Sequence, residues 1–114
     1  YAKLPEILLR GDICIAPRNL TVEYNFGHAF TKIGYPMSVG LCVLASPVPS
    51  YIGSPAVICN NPDEWENNLK DLIMNINMRK SLAKLGREYC MNNYSLEVVG
   101  KQYIEFFNKI FLSR

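Results

Sequence analysis

Histidine occurs once in this chain and no two cysteines have the C-x-x-C spacing, so the sequence carries no metal-binding signature. No apolar run approaches the roughly 20 residues that span a bilayer. The formal net charge is only +2, too small to argue for a nucleic-acid partner. A basic segment followed by an apolar stretch is missing from the start, which removes the signature of a signal peptide. The chain also starts at Tyr1 without an initiator Met, which points to a piece cut from a longer protein. Acidic residues do not cluster where strands would end. Only Asp12 stands near one, and it precedes its strand, which argues against a receiver-type regulatory domain.

What is present suits a globular core. Apolar residues make up 49% of the 114 positions and charged residues 19%. Cys14, Cys42 and Cys59 each sit in an apolar run, where a free thiol behaves as a small buried hydrophobe. Thiols used in this way, together with Cys90, imply a reducing compartment and a cytoplasmic location.

Three apolar runs read as strands: "DICIAP", "LCVLAS" and "AVICN". Their continuous apolar character is that of strands covered on both faces, and their alternation with helical segments argues for a parallel sheet. Pro5 to Arg10 reads as a short helix with proline at its start and Gly11 at its end. Between the first two strands, "RNLTVEYNFGHAF" has no clear period and reads as a functional loop beyond a strand's carboxyl end. The stretch that follows carries Gly34 and Pro36, the two residues least compatible with a helix interior. A helix beginning at about Tyr35 accommodates Pro36 in its first turn and leaves Thr31 to Gly34 as loop, with Gly34 free to adopt conformations other residues avoid.

The second half reads as three helices. Asn61 caps the first, with Pro62 and Glu64 in its opening turn and Trp65, Leu69, Leu72, Ile73 and Ile76 on one face. The second follows Asn77, with Met78, Leu82, Leu85 and Tyr89 at helical spacing. Ser95 caps the third, a helical tail over 95–112 whose apolar face, including Val99, Tyr103, Phe106, Phe107 and Ile110, is broader than one core contact needs. That surplus reads as a docking surface for another domain or a second copy. Ordinary packing on the chain's own sheet is the alternative.

The order of these pieces resembles a known family. A loop after "IAP", Lys32, Met37 and Gly40, the strand "VLAS", then "VPSY", "NNPDEW", "R..LAKLGREY" and "NNYS" is similar to the second domain of retaining GT-B glycosyltransferases, the large glycosyltransferase group 1 (family 4-like). The resemblance runs from about Leu4 to the end and is nearest to the variant serving cell-surface polysaccharides. It implies a Rossmann-like parallel sheet with flanking helices, here a single partial domain over 1–114. It also implies a transferase that takes a sugar from a nucleotide-diphosphate sugar to a glycan or lipid-linked acceptor. Metal and cofactor would not be needed. An N-terminal acceptor domain, or a second copy through the last helix, would be a partner, and the full-length enzyme would sit at the membrane periphery.

In an open parallel sheet, ligands lie outside the strands' carboxyl ends, where amides and a helix start face an anion. By the resemblance, Arg18, Phe26, Gly27, Lys32 and Tyr35 would bind the donor and its phosphates, and Glu23 and His28 are the catalytic candidates. The chain also departs from the pattern. The family commonly has two glutamates eight positions apart, and without gaps those places hold Gly27 and Tyr35. Matching Phe26-Gly27 to the family's "FG" step instead brings Glu23 near the earlier acid. Both alignments stay open, and a non-catalytic remnant or binding module of the same fold is the competing reading.

Overall fold

The computed structural model describes residues 3–113. Three strands form one parallel sheet in the order β1 (Ile13–Ala16), β2 (Cys42–Ala45), β3 (Val57–Ile58), as the three apolar runs require. The ladder extends past the assigned ends, Ser46 N donating to Ala16 O and Cys59 N to Ala45 O. Strand β2 is central and all four of its residues are buried. Alternation divides them between two cores. Val43 and Ala45 pack with Phe30, Ile33, Met37, Val48, Tyr51 and Cys90 on one face, while Cys42 and Leu44 pack with Cys59, Leu72, Trp65 and Leu69 on the other.

Strand β1 departs from expectation. Ile15 is 55% exposed, although Ile13, two residues earlier on the same face, packs against the cluster of Cys42, Leu44 and Leu72. An apolar run therefore marked a strand here without marking burial on both faces.

Helix α1 (Leu4–Leu8) stops short of Arg10. Helix α2 (Thr31–Ser38) begins four residues earlier than expected and contains both Gly34 and Pro36. Gly34 is helical, and its role is steric: a β-carbon there would lie 2.7 Å from the Phe30 ring. Pro36 deprives the Lys32 carbonyl of its donor four residues on, a single lost bond in a helix of eight residues, and its own ring is buried. The end of α2 is a Schellman closure, with Gly40 N donating to Met37 O and Leu41 N to Pro36 O. Gly40 has φ +92°, a left-handed conformation that costs glycine nothing.

Helices α3 (Pro62–Met74), α4 (Ile76–Tyr94) and α5 (Leu96–Leu112) fill the second half. Asn61 accepts from Glu64 N at 2.9 Å, and Glu64 returns the bond by accepting from Asn60 N, a capping pair one residue offset from the usual box. Asn75, and not Asn77, caps α4 by accepting from Met78 N, and it also ends α3. Arg79 then reaches back to the Leu72 and Ile73 carbonyls, satisfying acceptors at the end of α3. Trp65, Leu69 and Leu72 face the core as expected, but Ile73, in the last turn of α3, and Ile76, which already belongs to α4, are exposed.

Ser95 caps α5 through Val98 N. Only the first turn of α5 packs, with Val98, Val99 and Gly100 half-buried and every described residue from Lys101 onward exposed. The broad apolar face is thus open, with Phe111 at 74% and Leu112 at 87%. The radius of gyration, 16.4 Å against about 13 Å for a compact chain of this length, reflects that projection. No described helix is long and apolar enough to cross a membrane.

Candidate functional site

The carboxyl end of β1 leads into the loop of residues 17–30 and the start of α2, and a cleft of about 670 Å³ opens there. Its walls include Glu23, Tyr24, Gly27, His28, Thr31 and Lys32. The loop is stitched locally. Asn19 Oδ1 accepts from Thr21 N at 3.0 Å, and its carbonyl accepts from Asn25 Nδ2 at 2.6 Å. Asn25 in turn holds His28, with Oδ1 3.1 Å from Nε2, while Tyr24 meets the imidazole edge-on at 5.4 Å. Ser50 Oγ donates to the His28 carbonyl and ties this loop to the short 3₁₀ helix Pro49–Tyr51. The segment Glu23–Gly27 is itself a 3₁₀ helix, so part of the expected irregular loop is ordered.

Charge at the start of α2 is arranged against stability. Phe30 stands at the cap position and has no side-chain acceptor, no acidic residue lies in the first turn, and Lys32 does. A positive helix end favours anions and disfavours a lysine. Arg18 adds a second cation: its backbone N donates to Ser46 Oγ at 2.8 Å at the end of β2. Arg18 Nε is buried and has no hydrogen-bond partner among the described residues. The proximity of these groups is felt by His28, whose pKa is lowered from 6.5 by partial burial, then by Arg18, then by Lys32. The imidazole is therefore neutral at pH 7, and Lys32 and Arg18 supply the positive charge. An anion entering the cleft would meet the free amides of the first turn of α2 and the ammonium of Lys32 together.

Five of the seven expected residues thus come together: Glu23, Gly27, His28 and Lys32 line the cleft, and Arg18 lies within electrostatic reach of His28. Two do not. Phe26 is half-exposed and stands outside the cleft wall, because the 3₁₀ turn directs Tyr24 and Gly27 there instead. Tyr35 lies on the stripe of α2 shared with Thr31 and Ser38, and lines a separate hollow of about 410 Å³ toward the end of α4. Sequence reasoning missed Asn25, Ser46 and Ser50, which position the loop; polar residues flanking strand ends were the available signal.

Cys14, Cys42, Cys59 and Cys90 are free, and burial pushes the Cys14, Cys42 and Cys90 thiols up, as befits packed side chains rather than nucleophiles. Among the described residues no three His, Cys, Asp or Glu side chains are grouped to hold a metal ion. The fold is therefore a small three-stranded parallel α/β sheet with flanking helices and a cationic cleft at its carboxyl edge. Compared with protein-family models, curated proteins and solved structures, the chain matches none.

Proposed function

We propose that this chain is the donor-binding part of a retaining glycosyltransferase of the GT-B, Rossmann-like type, taking the diphosphate of a nucleotide sugar into the cleft at the start of α2. Two observations carry the reading: an uncapped, acid-free helix start with Lys32 in its first turn, and a buried Arg18 Nε without a hydrogen-bond partner among the described residues, whose charge is felt by His28 in the cleft wall. That combination costs stability unless an anion completes it. The order of motifs along the chain, from "IAP" to "NNYS", supplies the link to sugar nucleotides.

In this role the amides of α2 and Lys32 hold the diphosphate and stabilise the negative charge that grows as the sugar's anomeric bond breaks. Glu23 and His28 face the same space, where the sugar and its acceptor would meet. The acceptor, a glycan or a lipid-linked glycan, would be held by an N-terminal domain in a cytoplasmic enzyme at the membrane periphery. A non-catalytic binding module is the second reading, and Tyr35 favours it. In the ungapped alignment, the position of the family's ribose-binding carboxylate is here a phenol outside the cleft.

Calorimetric titration with UDP, GDP and ADP tests the proposal. Binding should weaken by about 10- to 100-fold in Lys32→Ala, the worth of one hydrogen bond to a charged group. Nucleotide binding without sugar transfer in the full-length protein would select the second reading. Failure of every nucleotide and of pyrophosphate to bind would refute both.

A further inference from the structure

Helix α5 holds its apolar residues on an uncovered face. Leu96, Val99, Tyr103, Phe106 and Ile110 recur at intervals of three and four, the spacing that keeps one stripe of a helix turned toward another helix. Val99, Gln102, Tyr103 and Phe106 enclose a hollow of about 290 Å³ on this one helix. Their spacing of i, i+3, i+4 and i+7 is that of the four-residue hole into which a side chain of a facing helix inserts. Independently of what the cleft binds, we propose that the occupant is α5 of a second copy of this chain, running antiparallel, with Phe106 of each copy entering the hole of the other.

The same helix supplies both the hole and the row of large apolar side chains that fits such a hole, as a two-fold contact between identical surfaces requires. The area is sufficient. Tyr103, Phe106 and Phe107 are 61%, 59% and 53% exposed. At about 200 Å² for an aromatic side chain, these three with Leu96, Ile110 and Phe111 offer roughly 700 Å² of apolar surface per copy, close to the about 800 Å² per partner of a standard stable interface. The rings are already set in place: Tyr103 stacks on Phe107 at 6.3 Å and 22°, and Phe106 meets Phe107 edge-on at 5.7 Å. Charge favours a copy over a lipid surface. Within α5, Glu97, Lys101, Glu105 and Lys109 follow at intervals of four on the side opposite the stripe, two of each sign. Two copies therefore meet with no charge in the seam, and the helix lacks the surplus of cations that draws an amphipathic helix to an anionic membrane. Every described residue from Lys101 onward is exposed, so a partner helix can lie along α5, and antiparallel pairing sends the two bodies to opposite ends.

Sedimentation equilibrium of the full chain should show a reversible dimer with twice the 13.0 kDa of one copy. Because the contact is two-fold, Phe106→Lys acts in both copies and should weaken self-association by about 100-fold or more. Ile104→Lys, at an equally exposed apolar position outside the stripe, should change it less than about threefold. Circular dichroism checks that both variants keep their helix. Small-angle scattering of the dimer should extend to roughly 90 Å, since two 57 Å copies would overlap only along the about 25 Å of α5. A dimer no longer than a single copy would overturn the antiparallel arrangement. A chain that stays monomeric up to about 100 μM would overturn the proposal outright. Were that monomer to bind phosphatidylglycerol vesicles in a Phe106-dependent manner, the face would belong to a membrane instead. Self-association that survives Phe106→Lys but is lost in Ile15→Lys would place the contact on β1 and overturn the proposal as well.

Discussion

Replacing Gly86 by alanine should weaken this protein, although the same change in an open helix strengthens one. An interior glycine of a helix costs about 1 kcal/mol relative to alanine, so the substitution starts with that gain. Gly86, however, lies where α4 crosses α2, and a β-carbon there would sit 2.5 Å from Met37 Cγ and 3.3 Å from its Sδ. Met37 is 1% exposed and packed in the core cluster with Phe30, Ile33 and Cys90. Overpacking a filled core costs about 1–3 kcal/mol. The clash therefore cancels or exceeds the helix gain, and Gly86→Ala should lose up to about 2 kcal/mol in urea denaturation followed by circular dichroism. Gly100→Ala is the control: a β-carbon there meets nothing within 4 Å, so hydrogen exchange in α5 should slow by the full helix gain. A double-mutant cycle with Met37→Ala isolates the contact. With Met37 truncated, Gly86→Ala should turn stabilising by up to about 1 kcal/mol. Truncation alone costs about 2–5 kcal/mol, so the cycle is run with an excluded osmolyte to keep every variant folded. Stabilisation by Gly86→Ala in the intact background would refute this account of how α2 and α4 meet.

Two further outcomes are expected. The Tyr51 hydroxyl is buried without a hydrogen-bond partner among the described residues, a burden of about 1–3 kcal/mol, so Tyr51→Phe should raise the urea midpoint; a fall of similar size would mean that the hydroxyl is bonded. His28, the chain's single histidine, binds its proton more weakly folded than unfolded, because burial, Arg18 and Lys32 lower its pKa from 6.5. Its contribution to stability is therefore full above pH 6.5 and is lost as pH falls through the lowered folded value, a slope that His28→Gln should remove. Phosphate or pyrophosphate in the cleft should move the imidazole resonance's titration to higher pH, and an unmoved titration at saturating anion would place the anion elsewhere.

The sheet was legible because its strands are contiguous apolar runs of fitting length, and Asn61 and Ser95 announced their helices by side-chain chemistry. Asn75 was missed because Asn75 and Asn77 offer the same cap, and only the fold chooses between them. Gly34 and Pro36 misled for a different reason. Local propensity is worth about 1 kcal/mol for glycine and about 3 for proline, and the fit of Phe30 over Gly34 and of Pro36 in the core outweighs it. Cationic residues around the cleft could be listed from the sequence, whereas the separation of Tyr35 from Lys32 depends on which stripe of α2 meets α4. Phe26 shows the same limit, since a 3₁₀ turn redistributes side chains that an irregular loop would leave undetermined.

The outer position of β1 has a consequence for handling the protein. One side of Ile13–Ala16 is bonded to β2, but along the other the amides and carbonyls have no neighbouring strand among the described residues, and Ile15 adds an apolar surface next to them. Such a border is a template on which a strand from another molecule can grow by main-chain pairing. Concentrated samples should therefore thicken by strand addition at that border, and a charge introduced at Ile15 is the change that would keep it closed.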